Sequence, residues 1–268
     1  MAEQIPNATT RLELILGHER LARLQNACVM VLGLGGVGSN CVEALARGGI
    51  GHFVLVDADT VEASNLNRQA IAFVHTLGQR KTDATRNLIL DINPAAEVIT
   101  LDAFLLKETV PELLSALPCP NVLVDAIDTV SAKLAAARWA QDAGIYFISS
   151  MGGANKIYPE LLKVSMLSQT HDDALARIMR KESRKRGLDD FRVVYSPEAA
   201  RRVFAPEDTN DKDTKSTSVK GTATQLDNRN KTAQLGTMSY IPPIMGQLIA
   251  SDVILHLTGL NEEGDAHA

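Results

Sequence analysis

The chain has 268 residues, enough for one large α/β domain or two small ones. Its hydrophobic fraction of 45% is ordinary for a globular protein. No stretch has the uninterrupted apolar length of a membrane span, and the polar start lacks the basic flank and apolar core of a signal peptide, so a cytoplasmic location is expected. A formal net charge of −5 excludes a general electrostatic trap for nucleic acid, so any nucleic-acid site must be a local basic patch.

Residues 11–25 carry apolar side chains at helical spacing (Leu12, Ile15, Leu16, Leu21, Leu24), with Gly17 expected to split them into two short helices. An apolar strand over 28–32 runs into Gly33, Gly35, Gly36 and Gly38, and a helix follows to about Arg47, stopped by Gly48, Gly49 and Gly51. Strand, glycine turn and helix together suit a phosphate. The glycines let the backbone turn without a Cβ in the way, and the helix start offers free N–H groups and a positive dipole end. A second strand, 52–56, closes on Asp57-Ala58-Asp59, and a polar loop, 62–69, holds Asn65, Asn67, Arg68 and Gln69. A helix over 79–91 carries Lys81 near its start and ends before Asn93-Pro94. Then come a strand at 97–101, a short helix at 111–117, a strand at 121–124 ending at Asp125-Ala126-Ile127-Asp128, and an alanine-rich helix over 130–142. A fifth strand, 145–149, runs into a loop with Gly152 and Gly153.

The second half is less regular: a strand at 161–167, a helix over 174–186 and a strand at 191–195. Residues 207–231 are rich in Asp, Thr, Lys and Asn and read as a mobile surface loop. Residues 236–241 look extended, Pro242-Pro243 is expected to break the chain, and 244–257 reads as an apolar helix. Gln247, Ser251, Asp252 and His256 interrupt that helix, which favours a core or dimer-interface role over a membrane span. The tail after Asn261 is expected to fray.

Strands alternating with helices at this spacing predict an α/β fold, Rossmann-like. The expected sheet is mainly parallel with helices on both faces, extended by a smaller irregular C-terminal portion. We read 1–268 as a single domain with a nucleotide-binding core over 28–149 and a substrate-binding, dimer-supporting portion over 150–260. Right-handed crossovers bring the strand C-terminal ends to one edge, so Asp57, Asp128 and the Gly152 loop should meet the glycine loop along one crevice.

Asp57 lies nineteen residues past Gly38, where a carboxylate can accept both ribose hydroxyls; this leaves NAD and ATP as candidates. Arg68 and Lys81 favour ATP, because two cations suit the charge that builds on a leaving pyrophosphate and hydride transfer has no such need. Asp128 could hold Mg²⁺ with phosphate oxygens and waters completing its shell. The three cysteines (Cys28, Cys41, Cys119) form no Cys-x-x-Cys pair, so neither a zinc knuckle nor a disulfide framework is suggested. The six histidines show no metal-ligand spacing.

The set Gly33-Leu34-Gly35-Gly36-Val37-Gly38, Asp57-x-Asp59, Ser64-Asn65-Leu66-Asn67-Arg68-Gln69, Gly78-x-x-Lys81 and Asp125-x-x-Asp128 resembles the ThiF-like adenylation domain of ubiquitin-activating-type enzymes. The resemblance implies that the glycine loop, Asp57, Asp59 and Gln69 help hold ATP, that Arg68 and Lys81 neutralise its triphosphate, that Asn65 and Asn67 position it, and that Asp128 binds Mg²⁺. It also implies that Arg11 is lent to a neighbouring subunit's active site, hence a homodimer. Asp125 to Val130, Ser149 to Lys156, Ala176 to Gly187, Val193 to Ser196 and Leu235 to Pro243 are similar to the tRNA threonylcarbamoyladenosine dehydratases. Those enzymes use ATP to activate the threonyl carboxylate of a modified adenosine beside the tRNA anticodon, after which the side chain cyclises with loss of water. The alternative is an adenylyltransferase acting on the C-terminus of a ubiquitin-like sulfur carrier. Its zinc-bearing members carry Cys-x-x-Cys pairs that this chain lacks. Whether a sulfur-transfer protein associates is left open. Arg177, Arg180, Lys181 and Arg184 share one helix face, with Lys185 and Arg186 beside them and Arg192, Arg201 and Arg202 following. Beside the resemblance, that face is expected to contact tRNA phosphates. Phe191, Tyr195 and Phe204 are the nearest aromatics for base stacking.

Overall fold

The computed structural model describes residues 8–201 and 235–260. The expected loop at 207–231, Arg202, Phe204 and the tail after Asn261 lie outside the described residues.

Among the described residues seven strands form one sheet: β1 (Cys28–Leu32), β2 (His52–Asp57), β3 (Glu97–Asp102), β4 (Val122–Asp125), β5 (Tyr146–Ser150), β6 (Lys163–Met166) and β7 (Arg192–Tyr195). Their spatial order is β3-β2-β1-β4-β5-β7-β6, all parallel except β6, which runs antiparallel to β7. The central strands are apolar at nearly every position because both faces are covered. Val29 and Val31 point to one face, with Phe53, Leu55, Val122 and Val124; Met30 and Leu32 point to the other, with Val54, Val56 and Leu123.

The first face is covered by α1 (Thr10–Asn26), α2 (Gly36–Arg47), α3 (Lys81–Ile92) and α7 (Ile241–Thr258), through residues such as Leu24, Leu45, Ile89 and Ile249. The second is covered by α4 (Val110–Ser115), α5 (Val130–Asp142) and α6 (Ala174–Lys185), through Leu114, Leu134 and Met179. Gly17, at φ 76° and ψ 165°, interrupts α1 as the sequence predicts.

Pro242 and Pro243 do not break the chain: α7 begins at Ile241 and contains both in its first turn. A proline there forfeits only an N–H that has no helical partner, and its fixed φ suits the helix. Residues 235–240 form no strand; Gly236 instead bonds to Asn155. α7 is long and apolar enough to cross a membrane, yet half of it is buried against the rest of the chain. An added Cβ at Gly246 would lie 2.5 Å from the Val37 carbonyl oxygen, so α7 meets α2 almost backbone to backbone.

Candidate functional site

The strand order reverses direction between β1 and β4, and in open parallel sheets the crevice outside such a point is where ligands bind. The β1–α2 and β4–α5 loops meet there. Gly33 has φ +85°, and an added Cβ would sit 2.8 Å from the Ala126 carbonyl oxygen, so only glycine lets the two loops touch. A Cβ on Gly38 would collide with the Gly33 carbonyl, which binds the first turn of α2 to the loop. Gly35 differs, since a Cβ there would meet no atom of the described residues within 4 Å. Gly33 and Gly35 line the crevice, whereas Gly36 faces Pro242 and Arg68. The four glycines therefore serve different ends: Gly35 leaves open space toward the crevice and the other three serve close packing.

The crevice has a volume of about 630 Å³ and gathers Asp57, Asp59, Asn65, Arg68, Gln69, Lys81 and Asp128. Asp57 ends β2, where its Oδ2 accepts from the Leu34 N–H at 2.6 Å and its Oδ1 from the Asp59 N–H at 2.8 Å. It therefore braces the glycine loop. Lys81 opens α3 and its ammonium, nearly buried, donates to Asp59 Oδ2 at 2.7 Å. Arg68 donates through Nη1 to the Ser64 carbonyl at 2.8 Å and to Asn67 Oδ1 at 3.0 Å. Gln69 is buried, and its Oε1 has no hydrogen-bond partner among the described residues. Asp128 is exposed at the rim, accepting from the Thr129 hydroxyl at 3.3 Å.

The crevice does not gather every residue named from the sequence. Asn67 does not line the crevice. It bonds to the Thr237 carbonyl at 3.1 Å and steers Arg68. Asn65 lines it but is buried, its Oδ1 taken by the Glu62 N–H at 3.0 Å, so it shapes the loop. The Gly152 loop does not reach the crevice: Gly153 packs on Met245 and Ile241 of α7. Arg11, expected at a neighbouring subunit's site and not at this one, is exposed on α1 outside this chain's crevice. The apolar wall of Ala103, Phe104 and Leu105 was missed. Phe104 is 72% exposed, and the readable signal was an apolar run placed just past the C-terminal end of a strand.

The basic helix α6 starts at Asp173, whose Oδ1 accepts from the Ala176 N–H at 2.7 Å. Arg177, Lys181, Arg184 and Lys185 are exposed, and Ala176, Met179 and Ser183 face the core. Arg180 turns back and donates to the carbonyl and hydroxyl of Thr170, so it belongs to the scaffold. Arg186 pairs with Glu182 one turn back and holds its carboxyl below the usual range. Arg192 is also structural: it pairs with buried Asp252 of α7, which accepts from the Tyr146 hydroxyl at 2.7 Å. Arg192 and Tyr146 begin their strands, which puts this cluster at the sheet edge opposite the crevice. Arg201 leans on the Tyr158 ring and donates to its hydroxyl at 3.0 Å. Cys41 is buried in α2, where burial pushes its thiol up and leaves it inert.

The ThiF family model matches residues 7–267. The tRNA threonylcarbamoyladenosine dehydratase of Bacillus subtilis is 41% identical over 191 residues, covering 71% of this chain and 74% of that one. A crystal structure of the E. coli tRNA N6-threonylcarbamoyladenosine dehydratase TcdA in complex with ATP has a TM-score of 0.77 at 25% identity, covering 96% of each chain. By contrast, the molybdopterin-synthase adenylyltransferase of Salmonella typhimurium, 34% identical, matches only 41% of this chain. The chain belongs to the ThiF family and, within it, to the tRNA threonylcarbamoyladenosine dehydratases.

Proposed function

We propose that this protein is an ATP-dependent tRNA threonylcarbamoyladenosine dehydratase whose reaction takes place in the β1–β4 crevice. The observation that carries the assignment of the site is the convergence of three features on one cavity: the open face at Gly35, and the cations Arg68 and Lys81. The likeness to the dehydratases over 71% of the chain, against 41% for the adenylyltransferase, favours this substrate over the sulfur-carrier alternative.

A carboxylate is a poor acyl donor, because its leaving group would be oxide. In the reaction a carboxylate oxygen of the threonyl group attacks the α-phosphorus of ATP, and the bond to pyrophosphate breaks. Arg68 and Lys81 meet the charge that develops on the departing pyrophosphate. Lys81 does so by exchanging its bond to Asp59, a half-exposed carboxylate that water can resolvate, for one to phosphate. The acyl-adenylate then has AMP as a good leaving group. A nucleophile within the same substrate closes the ring, with the gain that comes from holding both ends together. The nucleoside loses one water overall, its elements carried off in AMP and pyrophosphate. No enzyme thiol takes part: Cys41 is buried, and Cys28 and Cys119 do not line the crevice.

Asp57 orients the ribose while it braces the glycine loop, and Phe104 supplies an apolar face for the base. Asp128 is a hard carboxylate at the cavity rim with one oxygen unpartnered among the described residues. It suits a Mg²⁺ ion that would neutralise phosphate charge. Arg177, Lys181, Arg184 and Lys185 hold tRNA phosphates. Arg11 serves the partner's site in a homodimer, a reading supported by its exposure beside Leu14 and Ile15, which are 82% and 83% exposed. The expected compartment is the cytoplasm.

The test is to incubate the protein with ATP and tRNA bearing threonylcarbamoyladenosine, digest the tRNA and weigh the nucleosides. The expected product is lighter by one water, with AMP formed in step. An unchanged nucleoside, with adenylation of a Gly-Gly-ended carrier protein instead, overturns the reading in favour of the alternative.

A further inference from the structure

Beneath the crevice, Lys133 and Asp125 are both completely buried, with Lys133 Nζ 3.0 Å from Asp125 Oδ2. The ammonium also donates to the Ile127 carbonyl at 2.8 Å. Asp125 further accepts from the Ser149 hydroxyl at 2.6 Å and from the Ile127 N–H at 3.2 Å. The pair thereby joins the end of β4, the first turn of α5 and the end of β5. The span it clasps is the 125–129 turn, which presents Asp128 to the cavity and offers Ala126 and Ile127 to Gly33.

Burying an ion pair is not an economical way to stabilise a fold. Taking both charges out of water is costly, and a well-packed apolar pair is commonly as stable or more so. What the pair does give is direction. Two hydrogen bonds into the carboxylate, the ion pair and the ammonium's bond to the Ile127 carbonyl fix the turn in one conformation. The turn has little slack on its crevice side, because the Cβ position of Gly33 is already within 2.8–3.1 Å of Ala126 and Ile127 atoms. A relaxed turn would move the glycine loop and Asp128 together.

We propose that Lys133 is a positioning residue for the reaction: through Asp125 and the Ile127 carbonyl it holds the rim that carries Asp128 in register with the phosphate loop. This inference rests on the adenylate-forming reading above. Lys133 does not itself line the cavity and reaches it only through the Ile127 carbonyl and Asp125, so its effect should fall on kcat and not on ground-state ATP affinity.

The test uses the full chain. Lys133→Met alone leaves Asp125 as an unpaired buried charge, so the variant of choice is Asp125→Asn with Lys133→Met. Its readouts are thermal unfolding, ATP affinity by calorimetry, the kcat and KM of AMP formation with modified tRNA, and hydrogen exchange of the amides at 126–129. Expected are a folded protein with ATP affinity and KM within about threefold of the parent, a kcat at least about tenfold lower, and exchange at least about tenfold faster confined to the turn. Parental exchange at the turn overturns the proposal. So does a parental kcat despite faster exchange, and so does faster exchange throughout the sheet, which would mark a merely structural pair. Should the double variant not fold, Ser149→Ala removes one hydrogen bond from Asp125 and is read in the same way, with effects of about threefold. If the parent protein itself forms no AMP with modified tRNA, the adenylation reading has failed, and the exchange data alone still decide whether Lys133 holds the turn.

Discussion

Gly35 and Gly38 are three residues apart and constrained in opposite ways. Gly38 has the Gly33 carbonyl where a Cβ would go, a clash between backbones that no rotamer relieves. Gly38→Ala is expected to destabilise the fold by about 3 kcal/mol or more, read by urea unfolding. Gly35→Val fills only open space, so stability should change by less than about 1 kcal/mol while ATP affinity falls at least about tenfold, read by calorimetry. Normal ATP binding by that variant would mean the phosphates lie elsewhere. Arg68→Ala and Lys81→Ala should fold normally and bind ATP with modest losses, yet form AMP about a hundredfold more slowly, because each cation is needed chiefly as pyrophosphate departs. AMP formation at the parental rate in either variant would remove that residue from its assigned role. These residues were legible in the sequence because strand, turn and helix spacing fixes where a loop residue falls. Asn67 was not: its side chain answers to the Thr237 carbonyl, 170 residues away, which no local pattern records.

At the scale of elements, α6 shows how a charged face divides between packing and binding. The helical period gathered Arg177, Arg180, Lys181 and Arg184 together. The structure gives Arg180 to Thr170, because a guanidinium near the core edge must satisfy its donors. We therefore expect Lys181→Glu with Arg184→Glu to weaken tRNA binding by about tenfold or more at moderate salt and to flatten its salt dependence, with ATP affinity unchanged. Equal tRNA affinity would reduce α6 to an ordinary solvated helix. Arg192 shows the converse limit. Sequence order placed it after the basic helix, but as the first residue of β7 it lies at the far edge of the sheet, held by Asp252. The strand order that carries the crevice was legible because alternating strands and helices admit few topologies. The start of α7 is not legible in the sequence, because two prolines signal a break as readily as they fill a helix's first turn.

At the scale of the whole molecule, the proposed homodimer makes a quantitative prediction. Arg11→Ala and Arg68→Ala should each be about a hundredfold slower alone. Mixed at equal amounts and allowed to exchange subunits, they should recover about a quarter of parental activity, since half the dimers are mixed and each has one complete site. No recovery despite exchange would show that Arg11 does not serve a partner's site. A different consequence follows from Asn155. Its carbonyl accepts from the Arg201 N–H at 2.8 Å, its own N–H donates to the Gly236 carbonyl at 2.8 Å, and its Oδ1 accepts from the Gly236 N–H at 2.8 Å. The chain thus leaves the sheet and returns to α7 at the same residue, so continuity of the backbone between these points is not what keeps α7 in place. An engineered protease site within 202–234, once cut, should yield two fragments that elute together, with α7 behaving as a tightly bound ligand of the rest.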